Sequence, residues 1–460
     1  MSIKFFNTFT KALEDFQPIS KDSVSLYTCG PTVYNYPQIG NYKTFIFGDL
    51  LKRYLVYRGY KVKHIMNITD IDDKTIRDSI KEGKTLKDFT EFYTEEFFKD
   101  RDMLNIIPAD LYPKATDHID QMVHITEELI QKGHAYVSKD GSVYFDISKF
   151  SNYGKLAHID TTELRANAKG RIKSDEYEKD SVQDFALWKA YDESDGPVFW
   201  ETSLGKGRPG WHIECTAMSI QNLGEQTRGE GFRTIDIHTG GVDNIFPHHE
   251  NEIAQSECYT GKQFVKYWMH AEWLLVNGKK MSKSAGNFYT LRDIMDKGIS
   301  PIGYRMWLMT AHYRTLINLN IDVLQGADIA LKRLYEAFRT LPEAPTGTIN
   351  LDYKARFVEF LDNDLDTPQA IALMWELVKD SSISPADKRA TMLDFDQVFG
   401  FGFKDIKEES VPDEVAKLVA EREYAREHKD WDTSDRLRAK VNALGYEVKD
   451  TSNGPKISKL

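Results

Sequence analysis

Cysteine is scarce in this 460-residue chain, with three in all. That excludes a disulfide scaffold and fits a reducing compartment, so the useful question is what each cysteine does. Long apolar runs are missing as well. The opening stretch MSIKFFNTFTKALEDF carries lysines and acids and reads as no signal peptide. No window approaches the length of a membrane span, and cytoplasmic residence without a membrane partner is the expectation. There is no low-complexity tract, no internal repeat and no long disordered span. Positive charge is in deficit: the formal net charge is −11. A chain that coats nucleic acid over its whole surface is thereby disfavoured, while a local basic surface is not. What is present suffices for large cores, since 41% of residues are hydrophobic and 12% aromatic. The length predicts roughly two to four structural units.

The segments SVSLYT, TFIFGDLLKRYLVYRG and YKVKHIMNIT read as strand, helix and strand. In the middle one Phe47, Leu50, Leu51, Tyr54 and Leu55 recur at helical spacing. This βαβ unit predicts a parallel, nucleotide-binding type of sheet, an α/β fold of Rossmann type. Residues 75–135 read as charged helices. AYVSKDGSVYFDI predicts a hairpin around Asp140–Gly141, and KGRIKSDEYEKDS a loop. Strand patterns return at RTIDIHTGG and YWMHAEWLLVNGKK. Beyond about 315 the pattern turns helical, with DVLQGADIALKRLYEAFRTL and ARFVEFLDNDLDTPQAIALMWELVKD separated by the connector PEAPTGTIN. The expected organisation is an α/β domain over 1–315, split by an insertion at about 120–200. A helical bundle over 316–405 and a small module over 406–460 follow.

Two loops carry chemistry. The first, CGPTVYNYPQIGN, joins a strand to a helix, where nucleotides often bind, yet its polar candidates Gln38 and Asn41 are uncharged. The second, GKKMSKSAGN, sets Lys279, Lys280 and Lys283 between glycines. Lysine is a compact charge for phosphate oxygens. A lysine-rich pentamer alone is more often an exposed basic turn. A third feature is scattered: Cys29, Cys215 in GWHIEC, and His248 with Glu252 in PHHENE. His248 and Glu252 share a helix face at a spacing of four. Two thiolates, an imidazole and a carboxylate can hold zinc. By spacing alone this is weak, because no Cys-x-x-Cys is present and buried cysteines are commonly small hydrophobes. Neither of the metalloprotease patterns H-E-x-x-H and H-x-x-E-H occurs.

The string KMSKS, far downstream of a βαβ loop containing IG, resembles the paired signatures of class I aminoacyl-tRNA synthetases. CGPTVYNYPQIGN, NITDIDDK, GRPGWHIEC, DIHTGGVDNIFPHHENEIAQSE and KKMSKSAGN together resemble the cysteinyl-tRNA synthetase family. The likeness extends through DNDLDTPQA to the terminal module. It implies that Cys29, Cys215, His248 and Glu252 hold one zinc ion per subunit, with no counterpart for Cys258. It places Cys29, Gly30, Thr69 and Trp211 at the amino-acid pocket, and Asp243 at the ATP ribose. Gln38, Gly40 and Asn41 then belong to the first signature, whose usual histidines the amides replace, and Lys280 and Lys283 to the second. Zinc suits such a substrate. A hydrophobic pocket separates near-isosteres such as cysteine and serine by only about 1–3 kcal/mol. A thiolate, by contrast, is a good zinc ligand and a hydroxyl is hard to ionise. No editing domain is evident. The implied partners are ATP with Mg2+, L-cysteine and tRNA(Cys), and the implied state is a monomer.

The terminal module is locally basic, and the resemblance points to Trp431, Asp435 and Arg438 as anticodon contacts. On composition alone it reads instead as a solvated amphipathic helix with Trp431 as its core anchor. Two rivals stay open. One is a ligase of the same fold joining cysteine to an amino sugar, which needs no anticodon module. The other is a non-catalytic paralogue, invited only by Gln38.

Overall fold

The computed structural model describes residues 2–159, 171–172, 184–224, 232–281, 287–342, 347–406, 412–451 and 454–459. The chain divides into two compact units, Met1–Lys404 and Asp405–Leu460.

The first unit is built on a four-stranded sheet in the order Val265–Ala271, Ile235–Gly241, Ser23–Thr28, Lys61–Met66. Every neighbouring pair is parallel. The chain-order reversal falls between Ser23–Thr28 and Ile235–Gly241. In open α/β sheets ligands bind at this switch point, beyond the carboxyl ends of the strands. Ile235–Gly241 is buried along its whole length, as a central parallel strand must be.

The helix after the first strand spans Ile39–Tyr57, so it starts five residues before the predicted run at Thr44. Local hydrogen bonding explains the early start. The Asn41 side-chain oxygen accepts from the Gln38 backbone N–H at 3.1 Å, and the Asn41 N–H donates back to the Gln38 carbonyl at 2.9 Å. Orphan donors at a helix start are thus satisfied by an amide that the hydrophobic pattern ignores. Gly40 and Asn41 therefore belong to the first helical turn.

Between the second and third sheet strands lies an antiparallel sheet whose longest strand is Asp184–Ala190. It contains the predicted hairpin, Ala135–Val137 against Val143–Phe145, with Gly141 at φ 88° in the turn. The predicted loop at 169–181 needs one correction: Arg171–Ile172 pairs in parallel with Asp184–Phe185. The rest of that loop lies outside the described residues.

Helices Ile321–Arg339, Leu351–Asp362, Thr367–Lys379 and Pro385–Phe399 follow within the same unit. The pattern read as continuous from 355 to 380 breaks at Asp364 and Leu365, both at φ 58°. Asp364 has other work there. Its carboxylate accepts from the Phe6 N–H at 2.8 Å, the Tyr313 hydroxyl at 2.7 Å and Arg314 Nε at 2.7 Å. A second buried node joins these helices to Ile39–Tyr57. Burial alone would raise the Asp49 carboxyl, but the guanidiniums of Arg305 and Arg53 hold it below the usual carboxylate range. Arg305 also donates to the Phe399 and Leu104 carbonyls. Such a pair is costly to break from one side, because the remaining charge is buried.

The second unit pairs helices Asp413–Glu427 and Trp431–Ala443 with the hairpin Tyr446–Thr451/Gly454–Lys459. Val415, Val419, Val441 and Val448 make its core. Trp431 is 56% exposed and is not the core anchor that composition favoured.

Candidate active site

A cavity of about 580 Å³ opens at the switch point. Its deep end is a cluster of donors. Cys29 follows the first strand, and its N–H crosses to the Thr239 carbonyl at 3.1 Å. Cys215 lies on helix Trp211–Ser219, whose first residue also lines the cavity; a spacing of four puts Trp211 and Cys215 on one face. His248 and Glu252 show the same spacing, with Nε2 3.1 Å from Oε1. The ligand atoms of Cys29, Cys215, His248 and Glu252 all lie within 4.8 Å of one another, and all four residues are buried. This is the set drawn from the resemblance, brought together from three separate stretches of chain.

Four histidines that sequence reasoning did not single out surround it. His212 Nδ1 meets His248 Nδ1 at 2.8 Å, and His238 Nε2 meets Glu252 Oε2 at 3.0 Å. His249 Nε2 lies 3.3 Å from the Cys29 sulfur. Its Nδ1 meets His270 Nε2 at 2.7 Å, and His270 Nδ1 meets Thr8 Oγ1 at 2.8 Å. Burial holds His212 and His249 well below the usual imidazole range, and His270 is lowered to about 3. The rings of His212, His249 and His270 are therefore neutral hydrogen-bonding groups that orient their neighbours. The available signals were the doubled histidine before Glu250 and the alternation in DIHTGG. Cys29, His238, His249 and Glu252 also lie within 4.8 Å of one another, an overlapping set that shares two members with the first.

The donor chemistry fits zinc. Two sulfurs, one imidazole and one carboxylate converge in a buried place, and both His248 and Glu252 have an outer hydrogen-bond partner. Burial raises the Cys29 thiol, and the hydrogen bond from Cys29 lowers that of Cys215. Burial also raises the Glu252 carboxyl. A divalent cation would reverse the cost of charging these groups. Cys258 is in neither set. It is half-buried on helix Glu250–Thr260, and burial pushes its thiol up to about 12.

Thr69 and Trp211 both face the cavity. Trp211 is half-buried and stacks on His248, with ring centroids 4.2 Å apart and planes at 21°. The Thr69 hydroxyl accepts from Asn67 Nδ2 at 3.0 Å, and Asn67 Oδ1 accepts from the Gly30 N–H at 2.8 Å. A Cβ on Gly30 would sit 1.8 Å from the Asn67 carbonyl oxygen, so only glycine allows this approach.

At the start of helix Ile39–Tyr57, Gln38, Gly40 and Asn41 line the cavity, and Asp243 lines it too. Helix N-termini favour anions. The backbone of Gln38 bridges to Thr290, and the Ile39 N–H donates to the Tyr289 carbonyl at 2.9 Å. The first loop is thus joined to the chain just after the second. Lys280 closes the two-residue strand Lys279–Lys280, with its side chain outside the described part. Lys283 lies outside the described residues. In the second unit Trp431, Asp435 and Arg438 are exposed, and their spacing puts them on one helix face. The Arg426 guanidinium lies 5.8 Å from the Trp431 ring centroid.

Residues 15–328, more than half of the chain, match the family described as tRNA synthetases class I (C) catalytic domain. The fold agrees. Methionyl-tRNA synthetase from Mycobacterium tuberculosis, solved in complex with methionyl-adenylate, superimposes with a TM-score of 0.57 at 16% identity. That match covers 83% of this chain and 90% of that one. The fold is that of a class I tRNA synthetase. Residues 408–454 match the cysteinyl-tRNA ligase anticodon binding domain. A cysteine–tRNA ligase from Chlamydia muridarum is 44% identical over 488 aligned positions, covering 100% of both chains. One from Brachyspira hyodysenteriae is also 44% identical, covering 99% of this chain and 98% of that one. The chain belongs to the cysteinyl-tRNA synthetase family.

Proposed function

We propose that the protein activates L-cysteine with ATP and transfers the cysteinyl group to tRNA(Cys), using zinc to select the thiolate. The observation that carries this reading is the convergence of two cysteines, a histidine and a glutamate, the first three lining a cavity that also takes in a helix N-terminus. Zinc held by Cys29, Cys215, His248 and Glu252 would supply a soft acceptor for the substrate's sulfur, which serine cannot match.

The chain's own residues do the rest. Thr69, held by Asn67, and Trp211 shape the wall beside the donors and orient the amino acid. The cysteine carboxylate then attacks the α-phosphate of ATP, and pyrophosphate leaves. Catalysis here is positioning and charge stabilisation. The Asn41 oxygen is committed to the Gln38 N–H, so Asn41 offers phosphate its amide nitrogen. Gln38 likewise offers an amide. Neither brings full charge, which leaves Lys280, Lys283 and Mg2+ to neutralise the phosphates. Asp243 at the cavity edge holds the ribose. The acyl group finally passes from the adenylate to a hydroxyl of the terminal ribose of tRNA, and AMP leaves. Gly40 keeps the first helical turn slim, and Trp431, Asp435 and Arg438 read the anticodon from their common face, with the tryptophan stacking on an unpaired base. The catalytic part is residues 1–315 with its insertion at about 120–200; 316–405 and 406–460 serve tRNA. The working form is a cytoplasmic monomer.

Cysteine-dependent pyrophosphate exchange, run with serine as the control, tests activation. Exchange with cysteine alone is expected, and no exchange by zinc-loaded protein at saturating ATP overturns the reading. Charging of tRNA(Cys) tests the acceptor. Trp431→Ala should weaken tRNA binding by about 1–3 kcal/mol and leave exchange unchanged, whereas equal loss in both assays refutes the anticodon role.

A further inference from the structure

Arg292 stands outside every role assigned so far, yet it stacks on a ring that lines the cavity and grips a carboxylate beside the start of Ile39–Tyr57. It lies on the short helix Leu291–Met295, just past the second loop. Its Nη1 donates to both carboxylate oxygens of Asp100, each at 3.1 Å. Its Nη2 pairs with Glu96. Both acids are on helix Leu86–Met103. Its guanidinium carbon lies 4.0 Å from the centroid of Tyr36, a ring that lines the cavity two residues before Gln38. Tyr36 is held from another side by Tyr93, edge-on at 5.6 Å.

The contacts converge on the first turn of Ile39–Tyr57. Asp100, which Arg292 grips, also accepts from the hydroxyl of Tyr42 on that helix at 2.7 Å. Thr290, two residues before Arg292, bridges to Gln38, and the Tyr289 carbonyl takes the Ile39 N–H. Thr290 in turn caps the helix of Arg292 through Asp293, with Oγ1 to Oδ2 at 2.7 Å. The start of the nucleotide helix is therefore fixed by backbone bonds from residues 289 and 290, by a buried hydroxyl–carboxylate bond and by a stacked guanidinium. Arg292 is the member common to the last two. Its planar fork grips a carboxylate and stacks on a ring at once, a combination lysine cannot reproduce. Asp100 is fully buried and Arg292 about one-third exposed. Removing the arginine would leave a buried carboxylate with only a tyrosine hydroxyl beside it, and Asp100 and Tyr42 would have to rearrange.

We propose that Arg292 is a positioning residue for ATP: paired with Asp100 and Glu96 and stacked on Tyr36, it sets where the first turn of Ile39–Tyr57 and the Tyr36 wall stand around the nucleotide. It does so without touching the amino-acid end, where the zinc donors, Thr69 and Trp211 sit. This rests on the nucleotide reading of the cavity given above.

The test uses the full-length, zinc-loaded chain with Arg292→Gln, Arg292→Lys and Tyr36→Leu. In pyrophosphate exchange, Arg292→Gln should raise the KM for ATP by about tenfold or more, since small misplacements at a reacting centre are expensive. The KM for cysteine and the zinc content should stay those of the parent. Arg292→Lys should recover part of the loss, because it keeps the charge beside Asp100 and loses the stack. Tyr36→Leu should shift in the same direction as Arg292→Lys. Equilibrium dialysis with ATP in the absence of amino acid should show the same order of affinities. ATP affinity equal to the parent's in folded Arg292→Gln overturns the proposal. So do parallel rises in both KM values accompanied by a lower Tm, which would mark a purely structural role. A parent chain that binds ATP but exchanges no pyrophosphate with cysteine removes the cysteine reading, while dialysis still decides the role of Arg292. A parent that binds no ATP removes both.

Discussion

The two ends of the cavity are built by opposite means. At the deep end four donor side chains are buried, and histidines hold His248 and Glu252 from behind. At the mouth the work falls to a helix start, two amides and an aromatic wall. The difference matches the function proposed above. Selecting sulfur over oxygen with a metal calls for donors held in place by hydrogen-bonded neighbours. Holding a polyphosphate calls for charge and backbone N–H groups that water can reach. Substitutions at the deep end should therefore abolish one specific ability, and those at the mouth should adjust rates.

The largest effect is expected at the donors. Cys215→Ser and His248→Ala should each lower zinc content together with cysteine activation, by more than about 100-fold, read by metal analysis and pyrophosphate exchange. Unchanged metal in both would remove the zinc assignment. His238→Gln comes next. The His238 Nε2 meets Glu252 at 3.0 Å, so if the proposed zinc reading holds, zinc affinity should fall by about 10- to 100-fold, with the KM for ATP unchanged. An equal change in the ATP and cysteine constants would erase the contrast between the two ends. At the mouth, Asn41→Ala removes the bond to the Gln38 N–H and should cost about 1 kcal/mol of stability in denaturant unfolding, with slower adenylate formation. Stability equal to the parent's would show that the cap bond is dispensable. The smallest effect is expected from Gln38→His, which should retain or modestly raise adenylate formation. A severe loss would reveal a structural role for the glutamine beyond its backbone bridge to Thr290.

Sequence alone exposed the βαβ unit, the hairpin at Gly141 and the terminal module, because each is a local pattern of period, turn chemistry or charge. It failed at the start of Ile39–Tyr57, where an asparagine cap outranks hydrophobic spacing, and at Asp364, where a carboxylate shared by Phe6, Tyr313 and Arg314 interrupts a helical pattern. Composition alone favoured Trp431 as a core anchor, which its 56% exposure contradicts, because composition cannot tell a core anchor from an exposed ring. The four proposed zinc donors stood out only weakly by residue type, and the resemblance chose them. The spacing of four between His248 and Glu252 is local, but nothing local links that pair to Cys29 or Cys215.

The sequence by itself determined the parallel sheet type, the two loops and the family, since these rest on short strings and local periodicity. Only the tertiary structure decided which histidines contact the buried cluster of Cys29, His248 and Glu252, and which arginine grips Asp100 beside the start of Ile39–Tyr57. His212, His238, His249, His270 and Arg292 lie in strands and helices like any others. They acquire their roles because parallel strands converge at one switch point and bury polar groups that must find partners there. Those partners are far apart along the chain, and no local pattern encodes a hydrogen bond between distant segments.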